Sequence, residues 1–238
     1  MAGQPRSVDE RLRLAVYFAP APESALAGAA RRWLGRAADD ARPRGGLMVP
    51  GVPAQRLNHY RAAPFHYGFH ATIKPPFYPR DGVAIKDVQD SLIGFCAAHS
   101  AIVLPPLQVA AIKDFLCLRP VGPCAEIDQL AADLVELLDP FRRPAGTAEL
   151  ARRRRASLSV RQEELLQRWG YPYLFDEFRF HLSLTGPVPD DQDREILQRF
   201  LEGHFTAALG AAVLVDRLSL FIEDDGQPLI QRFSCPLA

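Results

Sequence analysis

Two ten-residue segments of this chain repeat one pattern, and this repeat constrains the possible fold more than any other feature of the sequence. Residues 67–76 read YGFHATIKPP and residues 178–187 read FRFHLSLTGP. Aligned without gaps, the segments share aromatic residues, a histidine, a small hydroxyl residue and a closing proline: His70 with His181, Thr72 with Ser183, and Pro76 with Pro187. Aromatic and β-branched residues favour strands, and proline or glycine ends them. We therefore predict two related strands.

The alternation of side chains within each predicted strand sets its chemistry. Side chains on a strand point alternately to opposite faces. His70, Thr72 and Lys74 should then share one face, and His181 and Ser183 should share the matching face of the second strand. Apolar residues occupy the positions between them and can anchor each strand to a core. Lys74 either adds a cation to the polar face or lies in solvent at the end of the strand.

Two imidazoles beside two hydroxyls are suited to acid–base chemistry on a phosphodiester. Histidine has an ordinary pKa of about 6.5, so it can take or give a proton near neutral pH. A phosphodiester needs a base for the attacking hydroxyl and an acid for the departing alkoxide. Thr72 and Ser183 can donate hydrogen bonds to the non-bridging oxygens. The sequence leaves open which histidine is the acid, and a lone histidine on a strand is more often structural.

The double motif resembles that of the 2H phosphoesterase superfamily, which is defined by two His-x-Thr/Ser motifs and includes cyclic phosphodiesterases and 2'-5' RNA ligase-like enzymes. The chain is most similar to the branch associated with bacterial phosphonate-utilisation operons, and the similarity runs from RLRLAVYFAP at residue 11 to the last strands. The resemblance implies an α+β, two-lobed, pseudo-symmetric fold, with two antiparallel sheets lining a central groove and helices outside. It also implies four catalytic residues and no cofactor: His70, Thr72, His181 and Ser183.

Candidate substrate-binding residues lie on the first strand and in the segment before the second motif. Tyr17 either lines the groove or packs in the core. The arginine run at 152–155 is either a solvated helix face or an arm that reaches toward an anionic substrate, and Arg154 is no better supported than its neighbours. Arginine is suited to bidentate phosphate contacts. Tyr171 and Tyr173 either stack on a base or sugar or pack the hinge of this arm.

The overall charge argues against extended nucleic acid as the partner, and the motif chemistry leaves a small anionic phosphoester as the expected one. The formal net charge is zero, whereas proteins that bind extended nucleic acid need a basic surplus to neutralise phosphates. Three function classes remain open. The preferred one is a phosphoesterase; the others are a non-catalytic phosphoester-binding module and an RNA end-processing or ligase-like enzyme. The oligomeric state and the substrate itself are not specified.

The cysteines, the apolar runs and the surroundings of the histidines indicate whether the protein binds a metal, where in the cell it lies and whether it crosses a membrane. The four cysteines form no CxxC pair and no metal-ligand spacing, so we interpret them as buried thiols of a reduced, cytoplasmic protein. No signal peptide is visible, and no apolar run approaches the roughly 20 residues that cross a bilayer. Neither histidine motif has a neighbouring carboxylate, so we predict no metal, with a metal-ligand role for the two histidines as the competing account.

The pattern along the chain predicts a single two-lobed domain over residues 1–238, with insertions at about 39–66 and 141–173. The start, residues 1–10, should be loosely held. Apolar residues at helical spacing predict seven helices, at about 22–38, 53–61, 85–98, 123–140, 147–156, 159–169 and 190–208.

Overall fold

The computed structural model describes residues 12–155 and 157–238 of the chain. The start at residues 1–10, expected to be loosely held, lies outside the described residues. The helices are α1 Ala25–Leu34, α2 Ala54–Tyr67, α3 Ile85–Ala97, α4 Ala125–Leu138, α5 Thr147–Arg153, α6 Val160–Trp169 and α7 Asp191–Phe205. The strands are β1 Leu12–Phe18, β2 Ala71–Phe77, β3 Ile102–Val103, β4 Leu107–Ile112, β5 Phe115–Pro120, β6 Leu182–Pro187, β7 Leu214–Val215, β8 Arg217–Asp224 and β9 Ile230–Pro236.

Seven strands form one antiparallel sheet in the order β4-β5-β6-β2-β1-β8-β9, and β3 and β7 form a separate two-stranded ribbon. The predicted α+β class is confirmed. The expectation of two sheets differs from this arrangement, because the motif strands β2 and β6 are neighbours in a single sheet. The sheet instead contains two groups of strands, β4-β5-β6 and β2-β1-β8-β9, that meet edge to edge.

The strand pairing between these two groups consists of one residue pair. Ala71 of β2 pairs with Leu182 of β6, and each is the central residue of its His-x-Thr/Ser motif. Register shifts in the β1–β2 and β5–β6 pairings bend both strands, as bulges do. An antiparallel pair has a local two-fold axis between its paired residues. The two motifs are therefore related by this axis, with their histidines on either side of it.

Helices α1, α2, α3, α4 and α7 contribute to the main hydrophobic core on one face of the sheet. On α1 the predicted stripe is buried in full: Leu26, Ala29, Ala30, Trp33 and Leu34. The indole Nε1 of Trp33 donates to the carbonyl of Leu184 at 2.7 Å, which ties α1 to β6. The helix is shorter than predicted, because Ser24 caps its start and Gly35, at φ 74°, ends it in the left-handed conformation.

The strands also start later than the repeat suggests. Helix α2 was predicted to end near Arg61, but it continues through Pro64 to Tyr67, and Gly68 ends it at φ 76° and ψ 171°. A 3₁₀ turn, Phe175–Glu177, precedes the second motif. Strands β2 and β6 begin at Ala71 and Leu182. Each motif histidine therefore lies one residue before its strand, a few residues after a helical segment.

The insertion before the second motif is helical, as predicted. Helix α6 is capped by Ser159, whose hydroxyl accepts from the backbone N–H of Gln162, while the Gln162 side chain accepts from the N–H of Ser159. The preceding helix was predicted to reach Ala156. Helix α5 ends at Arg153, and Ala156 lies outside the described residues. In the part of the chain that the structure describes, no helix combines the length and apolarity needed to span a bilayer.

Candidate active site

A cavity of about 600 Å³ lies where the two motifs meet. It contains six of the eight predicted site residues: Tyr17, His70, Thr72, Tyr173, His181 and Ser183. The other two, Lys74 and Arg154, do not line it. The cavity opens on the sheet face opposite the main hydrophobic core, where a smaller cluster around Tyr17 and Phe221 packs. The alternation read from the sequence therefore places the polar face of both motifs toward one cavity.

The His70 ring is fixed at both nitrogens. Its Nδ1 lies 2.9 Å from the carbonyl oxygen of Gly68, and its Nε2 lies 3.2 Å from the Thr72 hydroxyl. A carbonyl oxygen can only accept, so Nδ1 carries the hydrogen and Nε2 of the neutral ring is the acceptor. Tyr17 stacks on the ring, with centroids 3.7 Å apart and planes 21° from parallel. The ring is thus held with its basic nitrogen beside a motif hydroxyl.

His181 repeats this arrangement through the local two-fold axis. Its Nδ1 lies 2.7 Å from the carbonyl oxygen of Arg179, the residue two positions earlier, as Gly68 is for His70. The same tautomer follows, with the proton on Nδ1 and the lone pair on Nε2. Phe115 lies beside the ring, with centroids 5.6 Å apart. Both imidazoles therefore present the same nitrogen as a base in the neutral state.

Both imidazoles have pKa values below the ordinary histidine value. The pKa of His70 is lowered to about 4, chiefly by burial, with a partial rise from its bond to Gly68 and smaller falls from the charges of His181 and Arg36. Burial also lowers the pKa of His181, with a rise from the Arg179 carbonyl and a smaller fall from Arg119. Desolvation disfavours the charged ring in both cases. Since His181 acts on His70, the two rings titrate as an interacting pair.

Lys74 does not share the polar face with His70 and Thr72, contrary to the expectation from alternation. Tyr17 pairs with Thr72 but the adjacent Val16 pairs with Lys74, so β2 has one extra residue at this point. This bulge puts Lys74 on the Val16 side, which packs into the main core. The ammonium is 2 % exposed and donates to the carbonyl of Val135 at 3.0 Å, at the end of α4. We therefore remove Lys74 from the substrate-binding candidates.

The arginine run divides between the cavity and the outer surface. Arg152 and Arg153 line the cavity. Arg154 points elsewhere and forms an ion pair with Glu163 of α6 at 2.6 Å. Consecutive residues of a helix face directions about 100° apart, so four arginines in a row cannot share one face. The arm interpretation therefore applies to Arg152 and Arg153, while Arg154 fits the solvated-face interpretation.

The cavity lining is strongly cationic, although the chain has no net charge. Its charged residues other than histidine are five cations and one carboxylate: Arg13, Lys113, Arg152, Arg153, Arg179 and Glu177. Sequence analysis did not single out Arg13, Lys113 or Arg179. A signal existed for two of them, since Arg13 lies four positions before Tyr17 on the same strand face and Arg179 lies inside the repeat. Lys113 sits in the β4–β5 turn, and nothing in its sequence context indicates the cavity.

Aromatic residues complete the walls. Tyr67, Tyr171, Tyr173 and Phe178 line the cavity with Tyr17. The Lys113 ammonium lies 5.7 Å from the centre of the Tyr173 ring. Such a surface can contact the apolar face of a sugar or base. Among the described residues, no group of three or more His, Cys, Asp or Glu side chains is placed to hold a metal ion.

Comparisons with known proteins place the chain among bacterial relatives. The model of the family described as "Protein of unknown function (DUF1045)" matches residues 72–230. A protein of Janthinobacterium sp. (strain Marseille) named "Ribose 1,5-bisphosphate phosphokinase PhnN" is 39% identical over 230 residues, which is 94% of this chain and 51% of that protein. A protein of the same name from Laribacter hongkongensis (strain HLHK9) is 33% identical over 214 residues, 90% of this chain and 49% of that protein. The chain thus spans about half the length of these curated relatives.

Proposed function

Because the chain belongs to the DUF1045 family, whose description states no function, we propose from the site itself that the protein is a metal-independent phosphoesterase that hydrolyses a small cyclic or nucleotide-like phosphodiester. One observation carries the proposal. Two imidazoles related by a local two-fold axis share one tautomer, and both line, with the two motif hydroxyls, a cavity that carries five cations. In-line displacement at phosphorus needs a base and an acid on opposite sides, and two symmetric imidazoles provide them.

We assign the base to His70 and the acid to His181. The Nε2 of His70 removes a proton from water as the water oxygen bonds to phosphorus. The bond from phosphorus to the leaving oxygen breaks, and the protonated His181 gives its Nε2 proton to that oxygen. Burial, together with the charge of His181, lowers the pKa of His70 to about 4, which favours the neutral form that a base requires. General acid–base help of this kind is typically worth about 10²–10⁴-fold.

The two hydroxyls have a supporting role. In the free protein Thr72 donates to Nε2 of His70, at 3.2 Å. When Nε2 takes the proton of the nucleophile it no longer accepts, and the hydroxyl is free to rotate toward a non-bridging phosphoryl oxygen. Ser183 occupies the equivalent place on β6 and lines the same cavity. Preorganised donors to developing charge are worth about 2.7–4 kcal/mol each in hydrolases where one has been removed.

The second candidate function is that of a kinase, because both relatives are named as phosphokinases. We propose that phosphokinase activity belongs to the half of the relatives that this chain does not span. The sequence has no G-x-x-x-x-G-K-[ST] motif, the loop that cradles triphosphate in P-loop kinases. The strands that the structure describes pair antiparallel throughout, whereas P-loops follow strands in parallel α/β sheets. A role in phosphonate metabolism is supported by the resemblance to the phosphonate-operon branch and by the relatives' link to ribose bisphosphate.

A substrate screen separates these candidates. The full chain is assayed by phosphorus NMR against ribose and nucleoside cyclic phosphates, and in parallel for ADP release from ATP with ribose 1,5-bisphosphate. We expect ring opening of at least one cyclic diester and no ADP release. ADP release without diester hydrolysis would replace our proposal with a kinase. Diester binding without turnover would replace it with a binding module, and salt-sensitive binding of oligonucleotide would favour an RNA end-processing enzyme.

A further inference from the structure

Two arginines of the cavity have donors that the protein leaves unused. Among the buried side-chain nitrogen and oxygen atoms of residues 12–155 and 157–238, two have no hydrogen-bond partner: Nε of Arg13 and Nε of Arg153. Buried polar groups are almost always paired, and leaving one unpaired costs about 1–3 kcal/mol. Both side chains line the candidate site. Their coincidence in one cavity indicates that they are arranged for a ligand.

Arg13 is held from one side. It faces Glu223 across the β1–β8 pairing, and its Nη1 donates to both carboxylate oxygens at 2.9 and 3.1 Å. Tyr78 lies under the guanidinium, 5.8 Å from ring centre to Cζ. The side chain is 8 % exposed. One nitrogen therefore takes up the local carboxylate, while Nε is enclosed and has no hydrogen-bond partner in the protein.

Arg153, the last residue of α5, is held in the same way. Its Nη2 donates to Glu149 at 3.2 Å, one turn earlier on α5. Its guanidinium lies over the Tyr171 ring, 4.7 Å from the ring centre. The Tyr78 ring, which lies under Arg13, lines a smaller cavity together with Glu149 and Tyr171, the two residues that hold Arg153. The partners of the two arginines are therefore neighbours.

We propose that Arg13 and Arg153 form a second anion subsite, which holds a phosphate monoester that the substrate carries in addition to its scissile phosphodiester. This inference rests on the proposed phosphodiesterase function. Arginine is suited to the task because its planar fork matches phosphate oxygens. Arg13 lies four residues along β1 from Tyr17, which stacks on His70, and a strand rises about 3.3 Å per residue, so the Cα atoms of Arg13 and Tyr17 are about 13 Å apart. The subsite arginines are therefore assigned to a different group of the substrate, which makes the substrate class a doubly phosphorylated small molecule.

A binding experiment tests the subsite without catalysis. Inorganic phosphate is titrated by calorimetry into the full chain carrying His70→Ala and His181→Ala, which removes the imidazole contribution. We expect one phosphate to bind, and Arg153→Gln to weaken it by at least about 10-fold, since a charge-assisted bond is worth about 1.5–3 kcal/mol. Arg154→Gln is the matched control, because Arg154 is the neighbouring arginine, is paired with Glu163 and lies outside the cavity. Arg13→Lys, which keeps the charge facing Glu223 but loses Nε, should also weaken binding.

Kinetics of the wild-type histidines then separates the subsite from the proposed function. Two cyclic diesters that differ by one terminal phosphate are compared. We expect kcat/KM to favour the phosphorylated one by about 10–100-fold, and Arg153→Gln to abolish this preference by lowering kcat/KM for the phosphorylated diester far more than for the plain one. Turnover of both diesters without preference, together with no phosphate binding, overturns the subsite and leaves the phosphodiesterase intact. Phosphate binding lost in Arg153→Gln but no turnover of any diester supports the anion subsite and overturns the phosphodiesterase. Equal losses in Arg153→Gln and Arg154→Gln overturn the assignment to the cavity.

Discussion

At the scale of single residues, the two histidines differ more than their symmetry suggests. His70 is stacked against Tyr17 at 3.7 Å and is held at both ring nitrogens. For His181 the bond to Arg179 fixes Nδ1 alone. The tighter enclosure accounts for the pKa of about 4 at His70. The asymmetry of the environments, and not the repeated motif itself, is what assigns base and acid.

The pH profile of kcat/KM should follow from this assignment. A base must be neutral, so activity should rise as pH increases through the pKa of His70, about 4. An acid must be protonated, so activity should fall as pH increases through the pKa of His181, which lies below its usual 6.5. We therefore expect a bell with its maximum on the acidic side of pH 6.5. A bound phosphodiester favours protonated rings, so both limbs of the kcat profile should move to higher pH.

Steady-state kinetics from pH 3.5 to 9 check this prediction. A His181→Ala variant is the informative comparison, since it should lose the alkaline limb together with most of the rate. A maximum above pH 8 in the wild type would contradict the lowered pKa values and the assignment built on them.

At the scale of elements, the backbone at Gly68 is what aims His70. Gly68 ends α2 at φ 76° and ψ 171°, a region that essentially only glycine occupies. Its carbonyl accepts from Nδ1 of His70. An added Cβ would lie 3.6 Å from Phe221 and from Nη2 of Arg36. Space is thus available, and the obstacle to a side chain is the backbone conformation.

We predict that Gly68→Ala destabilises the fold by about 1–3 kcal/mol and also lowers kcat, because relief of the strain turns the carbonyl away from Nδ1. Gly82→Ala is the matched control. Gly82 also has a positive φ, 79°, with nothing within 4 Å of the added Cβ, and it lies outside the cavity lining. The Gly82→Ala variant should be less stable than the wild type but should keep the wild-type kcat. Thermal unfolding and kinetics on both variants test this, and equal kcat in the two variants would show that the Gly68 carbonyl does not position the ring.

The sequence predicted elements well where one physical rule decided the outcome. The buried stripe of α1 and the cap at Ser159 follow from local periodicity and capping, and both are confirmed. The prediction that Lys74 shares a face with His70 and Thr72 was wrong, because a bulge in β2 turns its side chain to the other face of the sheet. Such a bulge depends on pairing with β1. Two separate sheets were expected, whereas one pair, Ala71 with Leu182, joins the two groups of strands. Such pairings are tertiary, so alternation within a strand does not reveal them.

The residues of the candidate site divide in the same way, into those that a local pattern predicts and those whose roles depend on distant parts of the chain. The motif residues were found from the repeat, since period-two alternation alone brings an imidazole and a hydroxyl to one face. Tyr17 was a candidate with core packing as its alternative, and the structure combines both, because the ring is fully buried and also lines the cavity. Arg13 was missed because its role depends on Glu223, which is 210 positions away in sequence.

At the scale of the whole molecule, zero net charge conceals an uneven distribution. The outer side of the α5–α6 insertion is neutralised by ion pairs such as Arg154 with Glu163 and Arg161 with Asp176. The cavity instead carries five cations and one carboxylate. A local concentration of positive charge attracts a small anion without providing the broad basic surface that extended nucleic acid requires. The charge distribution therefore favours a compact, multiply charged substrate.

The central claim is that His70 and His181 act together on a phosphodiester without a metal. The most direct measurement is kcat/KM for a cyclic diester found in the screen, after extended EDTA treatment, in the wild type, each single His→Ala variant and the double variant. We predict full activity after EDTA, a loss of about 10²–10⁴-fold in each single variant, and a loss in the double variant far smaller than the product of the two. Undiminished turnover in either single variant, or activity that EDTA removes and zinc or manganese restores, would contradict this account.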